Sequence, residues 1–232
     1  MLLTMPQLEQ FWVDANGVRL SVLAMGPEDG IPLVMLHGMR DVAWGLTSVA
    51  ERLPSNRRIF LPELRGHGGS DQPGAYSMSH FIFDLYRVLE DLGLSRTDLF
   101  GHSLGGQIAV RFAAMFPNRV ERLILAEGLG PPAMPAAGDD AQLLRHHGER
   151  ILQMYAISQR QRPLPDVAFA AQRLLVNNPR LDPAWAERLA AQATCLGEDG
   201  ALHWAFDPRV PMVFVDADEM DSMRYWRQTP QP

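Results

Sequence analysis

The 232-residue chain reads as an α/β protein with a mostly parallel sheet covered by helices, followed by a helical insertion. Three observations predict this. Short continuous apolar runs such as IPLVML and RRIFLP alternate with segments of helical spacing, as expected of parallel strands buried on both faces by crossover helices. The Asn16-Gly17 dipeptide lies between two runs of alternating polarity, which marks a leading hairpin. From GPPAMPAAGDD onward the strand pattern stops and helical patterns broken by Pro and Gly take over.

Each element follows in order. FWVDANGVRLSVLAMG supplies two antiparallel strands around the Asn-Gly turn, and IPLVMLHG and RRIFLPELRG supply two buried strands, with VAWGLTSVAERL as the helix between them. SHFIFDLYRVLEDLGL is a helix with Ser79 as its expected N-cap and Gly93 as its stop. TDLF is a strand, LGGQIAVRFAAMF a helix and VERLILAEG a strand. Along that helix Leu104, Ile108, Phe112 and Phe116 form one face, and Ala109 and Ala113 beside them permit close approach to the sheet. AQLLRHHGERILQMYAIS, PDVAFAAQRLLVN and DPAWAERLAAQAT are the helices of the insertion, which is expected to lie over one end of the sheet.

Composition narrows the class. Hydrophobic residues make up 47% and charged residues 21%, enough apolar content for a folded core. The net charge of -6 disfavours a polyanion partner, since binding phosphates requires a basic face, so nucleic acid is not expected. The basic side chains are all Arg, with no Lys, a bias that points to no particular site. Cys195 is the only cysteine; it cannot form an intrachain disulfide, and it reads as a small buried apolar residue. The N-terminal MLLTMPQLEQF lacks the basic region and unbroken apolar run of a signal peptide, and no apolar run reaches spanning length; a cytoplasmic protein without membrane partners is expected.

Gly101, Ser103 and Gly105 form G-x-S-x-G directly between an expected strand and an expected helix. A sharp turn there lifts the hydroxyl clear of the sheet, the flanking glycines leave room for backbone, and the helix N-terminus favours negative charge. Together with HGMR (37–40), LRGHGGSDQP (64–73), GHSLGG (101–106) and FPNRVERLILAEG (116–128), this motif resembles the α/β-hydrolase fold superfamily, in particular its capped serine hydrolases. The resemblance covers strands 1 to 6 of the family's sheet. It implies a hydrolase core over 1–130, a helical cap over 131–221 and a return segment over 222–232, with strands 7 and 8 falling beyond Pro232.

By that resemblance the amides of Met39 and Leu104 form the oxyanion hole, with His37 and Gly38 shaping the first of these loops. His37 itself, like Arg65 and His67 of RGHG, is expected to be structural, and the last two to be tied to nearby backbone. Glu127 ends the strand VERLILAEG and is similar to the acid that haloalkane dehalogenases and related luciferases carry after strand 6. Asp216 and Asp218 are the alternatives if VFV is strand 7. No histidine occupies the family's position for the base, a loop after strand 8. His80 begins a helix, His102 adjoins Ser103, His146 and His147 lie on a cap helix, and His203 belongs to the closing segment HWAFDPR. The base is therefore expected outside this chain, which reads as C-terminally truncated. The implied activity is hydrolysis of small esters or related acyl compounds through Ser103. Carbon–carbon bond hydrolysis and a non-catalytic ligand-binding protein or inactive fragment are the alternatives. No metal or organic cofactor is implied, and the partner is a small molecule with an apolar portion, for which Met134, Leu143, Leu144, Met154, Tyr155, Phe169 and Trp185 are candidate contacts.

Overall fold

A computed structural model describes residues 8–128, 140–159, 162–214 and 219–230. Strands β1 (Glu9–Asp14) and β2 (Arg19–Met25) pair antiparallel. Their turn places Asn16 and Gly17 at φ 60° and 83°, as a tight hairpin requires. Next come β3 (Ile31–Leu36), α1 (Trp44–Ala50), β4 (Arg57–Pro62), α2 (Met78–Asp91), β5 (Thr97–His102), α3 (Leu104–Met115) and β6 (Val120–Ala126). The sheet order is β1-β2-β4-β3-β5-β6, with β4, β3, β5 and β6 mutually parallel. After β3 the chain moves to one side for β4 and then crosses to the other for β5. The carboxyl ends of β3 and β5 thus flank the switch point where ligands of open α/β sheets bind.

Helices cover both faces. Leu104, Ile108 and Phe112 of α3 are fully buried with Ala109 and Ala113, and they share a core with Phe81, Leu85 and Leu89 of α2. On the other face Ala43, Leu46 and Ala50 pack against Leu33, Met35, Ile59 and Leu61. One cap differs from expectation: Ser77, not Ser79, accepts the amide hydrogen of His80. Ser77 has the extended backbone a cap needs, whereas Ser79 already lies inside the helix.

Beyond the sheet lie α4 (Asp140–Ser158), α5 (Val167–Asn177), α6 (Pro183–Gln192) and α7 (Glu219–Gln228). Asp166 and Asp182 cap α5 and α6 by accepting the amides of Phe169 and Trp185 at 2.7 and 2.9 Å. Alanines 170, 171, 186 and 190 let the two helices approach closely. A two-stranded ribbon, β7 (Thr194–Leu196) with β8 (Leu202–Trp204), was not expected, because three-residue strands are too short to show alternation. Cys195 sits in this ribbon and is exposed, contrary to the buried position expected of it. Residues 210–214 form a 3₁₀ turn rather than a strand, and α7 packs on α3 with Arg111 over the Tyr225 ring at 5.2 Å.

The segment after β8 docks on the loop after β4. Gly68 donates to the Ala205 carbonyl at 2.6 Å, and Asp207 donates to the Gly66 carbonyl at 2.7 Å. The fully buried Asp207 carboxylate accepts hydrogen bonds from Tyr76 at 2.6 Å and from Arg209. Among the described residues no helix is long and apolar enough to cross a membrane, and no group of His, Cys, Asp or Glu is arranged to hold a metal ion.

Candidate active site

Ser103 occupies the single residue between β5 and α3, at φ 50° and ψ −112°. Its amide donates to the Ala126 carbonyl at 2.9 Å and its carbonyl accepts from Gln107 at 3.0 Å, so backbone on both sides holds the bend. The glycines around it are required by close approach. A Cβ on Gly101 would stand 2.4 Å from the Gly105 carbonyl oxygen, and one on Gly105 would stand 2.4 Å from that of Leu36. Gly106 and Gly128 make a further contact that the motif does not announce: a Cβ on Gly106 would lie 2.7 Å from the Gly128 Cα. This brings the end of β6 against the start of α3, and Glu127 with it.

The loop after β3 lies beside the bend. The Gly105 amide donates to the His37 carbonyl at 3.1 Å, and a Cβ on Gly38 would come within 3.4 Å of the Ser103 Cβ. The amides of Met39 and Leu104 make no hydrogen bond among the described residues. Leu104 is the first residue of α3, where the partial positive charge of the helix adds to its donor. Two uncommitted donors near a hydroxyl are what a developing oxyanion needs.

His37 and His67 brace this loop. His37 Nδ1 donates to the Gly38 carbonyl at 2.8 Å while Nε2 accepts from Leu64 at 3.0 Å. His67 Nδ1 donates to the Arg65 carbonyl at 3.0 Å while Nε2 accepts from Arg40 at 3.1 Å. Their rings meet edge to face at 5.0 Å. Burial, with a smaller contribution from His37, pushes the His67 pKa down to about 3, so its imidazole is neutral. Arg65 differs from expectation: its guanidinium pairs with the buried Asp84 carboxylate of α2, with Nε donating at 2.6 Å, rather than with backbone. The need of a buried cation for a carboxylate explains the difference.

A cavity of about 350 Å³ opens over the bend, lined by Ser103, Leu104, Gln107 and Glu127 from the core and by Arg150, Met154, Pro211 and Phe214 from above. Met39 is half-buried in its loop and is not among these lining residues. Glu127 is exposed, at φ 55° in the left-handed region, and faces the same cavity as Ser103. Asp216 and Asp218 lie outside the described residues. None of the seven histidines lines the cavity. His80 and His147 are exposed, and His102 lies against Gly38. His146 is half-buried on α4, and His203 pairs with Asp199 at 3.1 Å in the ribbon. Of the apolar contacts expected from the helical segment, Met154 lines the cavity; Leu144, Tyr155 and Phe169 are exposed, Trp185 is not among the lining residues, and Met134 and the Leu143 side chain lie outside the description. Sequence reasoning missed Arg150 and Gln107, because periodicity on a helix does not reveal which turn overhangs a site.

Comparisons with known proteins agree with the fold. Residues 31–189 match the family model described as alpha/beta hydrolase fold. A serine hydrolase-like protein of Danio rerio is 26% identical over 200 residues, covering 84% of this chain and 61% of that protein. A 2-hydroxy-6-oxo-2,4-heptadienoate hydrolase of Pseudomonas putida is 33% identical over 121 residues, covering 50% of this chain and 43% of that enzyme. The chain spans less than two thirds of the length of these curated relatives. Among solved structures, the thioesterase domain from the curacin biosynthetic pathway superposes with a TM-score of 0.79 at 22% identity, covering 97% of this chain and 81% of that one.

Proposed function

Because the chain belongs to the α/β-hydrolase fold family, whose homologues here are hydrolases, we propose that it is a serine hydrolase of small esters or related acyl compounds. The observation that carries the reading is the strained bend at Ser103, beside two amides with no partner among the described residues. In this mechanism the Ser103 Oγ attacks the acyl carbon, and the amides of Met39 and Leu104 bind the oxyanion as charge develops. Each donor of this kind is worth about 3 kcal/mol of barrier. Collapse of the tetrahedral intermediate breaks the ester C–O bond and expels the alcohol, which takes up the proton removed from Ser103; water then attacks the acyl-serine, the carboxylic acid leaves and the hydroxyl is restored. Glu127, facing the same cavity, is the carboxylate that would orient an imidazole and stabilise its cation. That imidazole is not one of the seven histidines, since none lines the cavity and His37 and His67 have both ring nitrogens committed. On this reading the residues over the bend act as a cap.

A serine-directed fluorophosphonate tests the reading. Slow labelling of this chain is expected, located by peptide mass spectrometry to Ser103 and abolished by Ser103→Ala. Label at another serine, or labelling that survives the substitution, would reject it. The similarity to the Pseudomonas putida hydrolase named above supports carbon–carbon bond hydrolysis as a second reading, which uses the same nucleophile and oxyanion site.

A further inference from the structure

We propose that Arg150 makes this cavity selective for substrates that carry a carboxylate in addition to the group attacked by Ser103. This rests on the hydrolase reading above and goes beyond it in naming the class of substrate. Among the described residues four polar side chains line the cavity: Ser103, Gln107, Glu127 and Arg150. The Gln107 amide is committed at both ends. Its NH2 donates to the Gly128 carbonyl, and its Oε1 accepts from Arg111 at 2.6 Å. Ser103 and Glu127 already have roles in the reaction. Arg150 is what remains to recognise a ligand.

Among the described residues the Arg150 guanidinium makes one bond, from NH2 to the Phe214 carbonyl, and that partner is neutral. No carboxylate lies within ion-pair distance of it among the described residues, Glu127 included. The half-buried Arg57 and Arg119 and the buried Arg58 each pair with a carboxylate at 2.5 to 2.8 Å, an option that Arg150 leaves open for a ligand. A half-buried cation beside Met154, Pro211 and Phe214 gives up hydration that one carbonyl does not replace. Its planar fork still offers donors suited to a bidentate carboxylate. The cavity is small, so an anion held there also positions the rest of the molecule over Ser103.

The test uses binding rather than turnover, so that it stands apart from the hydrolase reading. In the Ser103→Ala chain, 4-nitrophenyl hemisuccinate and the nearly isosteric neutral 4-nitrophenyl butyrate are titrated and their affinities compared. The hemisuccinate should bind about tenfold more tightly, as expected for a charge-assisted bidentate contact. Adding Arg150→Gln should reduce that ratio to about one, and Arg150→Lys should restore part of it. Melting temperatures of the variants report whether they fold. Equal affinities in the parent, no hemisuccinate binding, or a preference that survives Arg150→Gln would overturn the proposal. So would a loss in Arg150→Gln that is equal for both esters, since it would assign Arg150 only to holding α4 against residues 210–214. Failure of fluorophosphonate to label Ser103 would count against hydrolysis and leave this comparison intact.

Discussion

Ser103 shows how much one residue can be asked to bear. It holds φ 50° with ψ −112°, a region that residues with a side chain seldom occupy and that costs on the order of 1–3 kcal/mol. Ser103→Gly removes that strain at the expense of a more flexible unfolded chain. The expected balance is a gain of about 1 kcal/mol, or a rise of about 2–4 °C in melting temperature for a chain of this size, together with loss of fluorophosphonate labelling. Thermal unfolding followed by circular dichroism checks it; a lower melting temperature would show that the hydroxyl itself secures the bend. At this scale Gly101, Ser103 and Gly105 were legible because their spacing falls directly between a strand pattern and a helix pattern. Arg150 was not legible, because its significance lies in having no carboxylate partner among the described residues.

At the scale of elements, the junction between the loop after β4 and the segment 205–209 is governed by buried titratable groups. His67 is completely buried, with a pKa near 3 against an ordinary value near 6.5. Above about pH 6.5 both folded and unfolded states hold it neutral. As pH falls from about 6.5 towards about 3, the unfolded chain takes up the proton first, and stability declines by up to about 1.4 kcal/mol per pH unit from this group. Asp207 acts lower on the scale. Burial pushes its carboxyl up, but hydrogen bonds from Arg209 and Tyr76 outweigh this and hold it below the usual range. Its contribution is present above the ordinary carboxylate pKa and is lost as pH falls below it. Urea unfolding at a series of pH values should therefore show a decline between pH 6.5 and 4 that His67→Asn flattens, even though that variant is less stable at pH 7. An unchanged slope in the variant would assign the decline to other groups. The docking of residues 205–209 on RGHG was not legible in the sequence, because it depends on backbone bonds that no pattern encodes.

For the whole molecule, β6 is the outer strand of the described sheet, and Ile124 on it is 55% exposed. An apolar outer strand with unpaired backbone groups invites pairing with a second copy. Sedimentation velocity should show association that grows with concentration, and Ile124→Lys should shift the population towards monomer. A concentration-independent monomer in both would mean that the edge is covered. The parallel pairing follows from the alternation of apolar runs with helical segments, whereas the strand order and the switch point beside β3 do not, since alternation does not say on which side of β3 each later strand lies. The ribbon β7–β8 does not, since strands of three residues leave no periodicity.

What the sequence determined by itself is local: a hydroxyl placed between a strand and a helix, the glycines that let backbones meet there, and the buried strands whose apolar runs require cover on both faces. Those features are set by sterics and hydrophobic burial over a few neighbouring residues. Only the tertiary structure decided which side chains share the cavity over Ser103, because Glu127, Arg150 and Phe214 come from three distant segments brought together by packing. The same holds for the Arg150 charge, which has no opposite partner among the described residues, because that depends on distances between elements and not on their order in the chain.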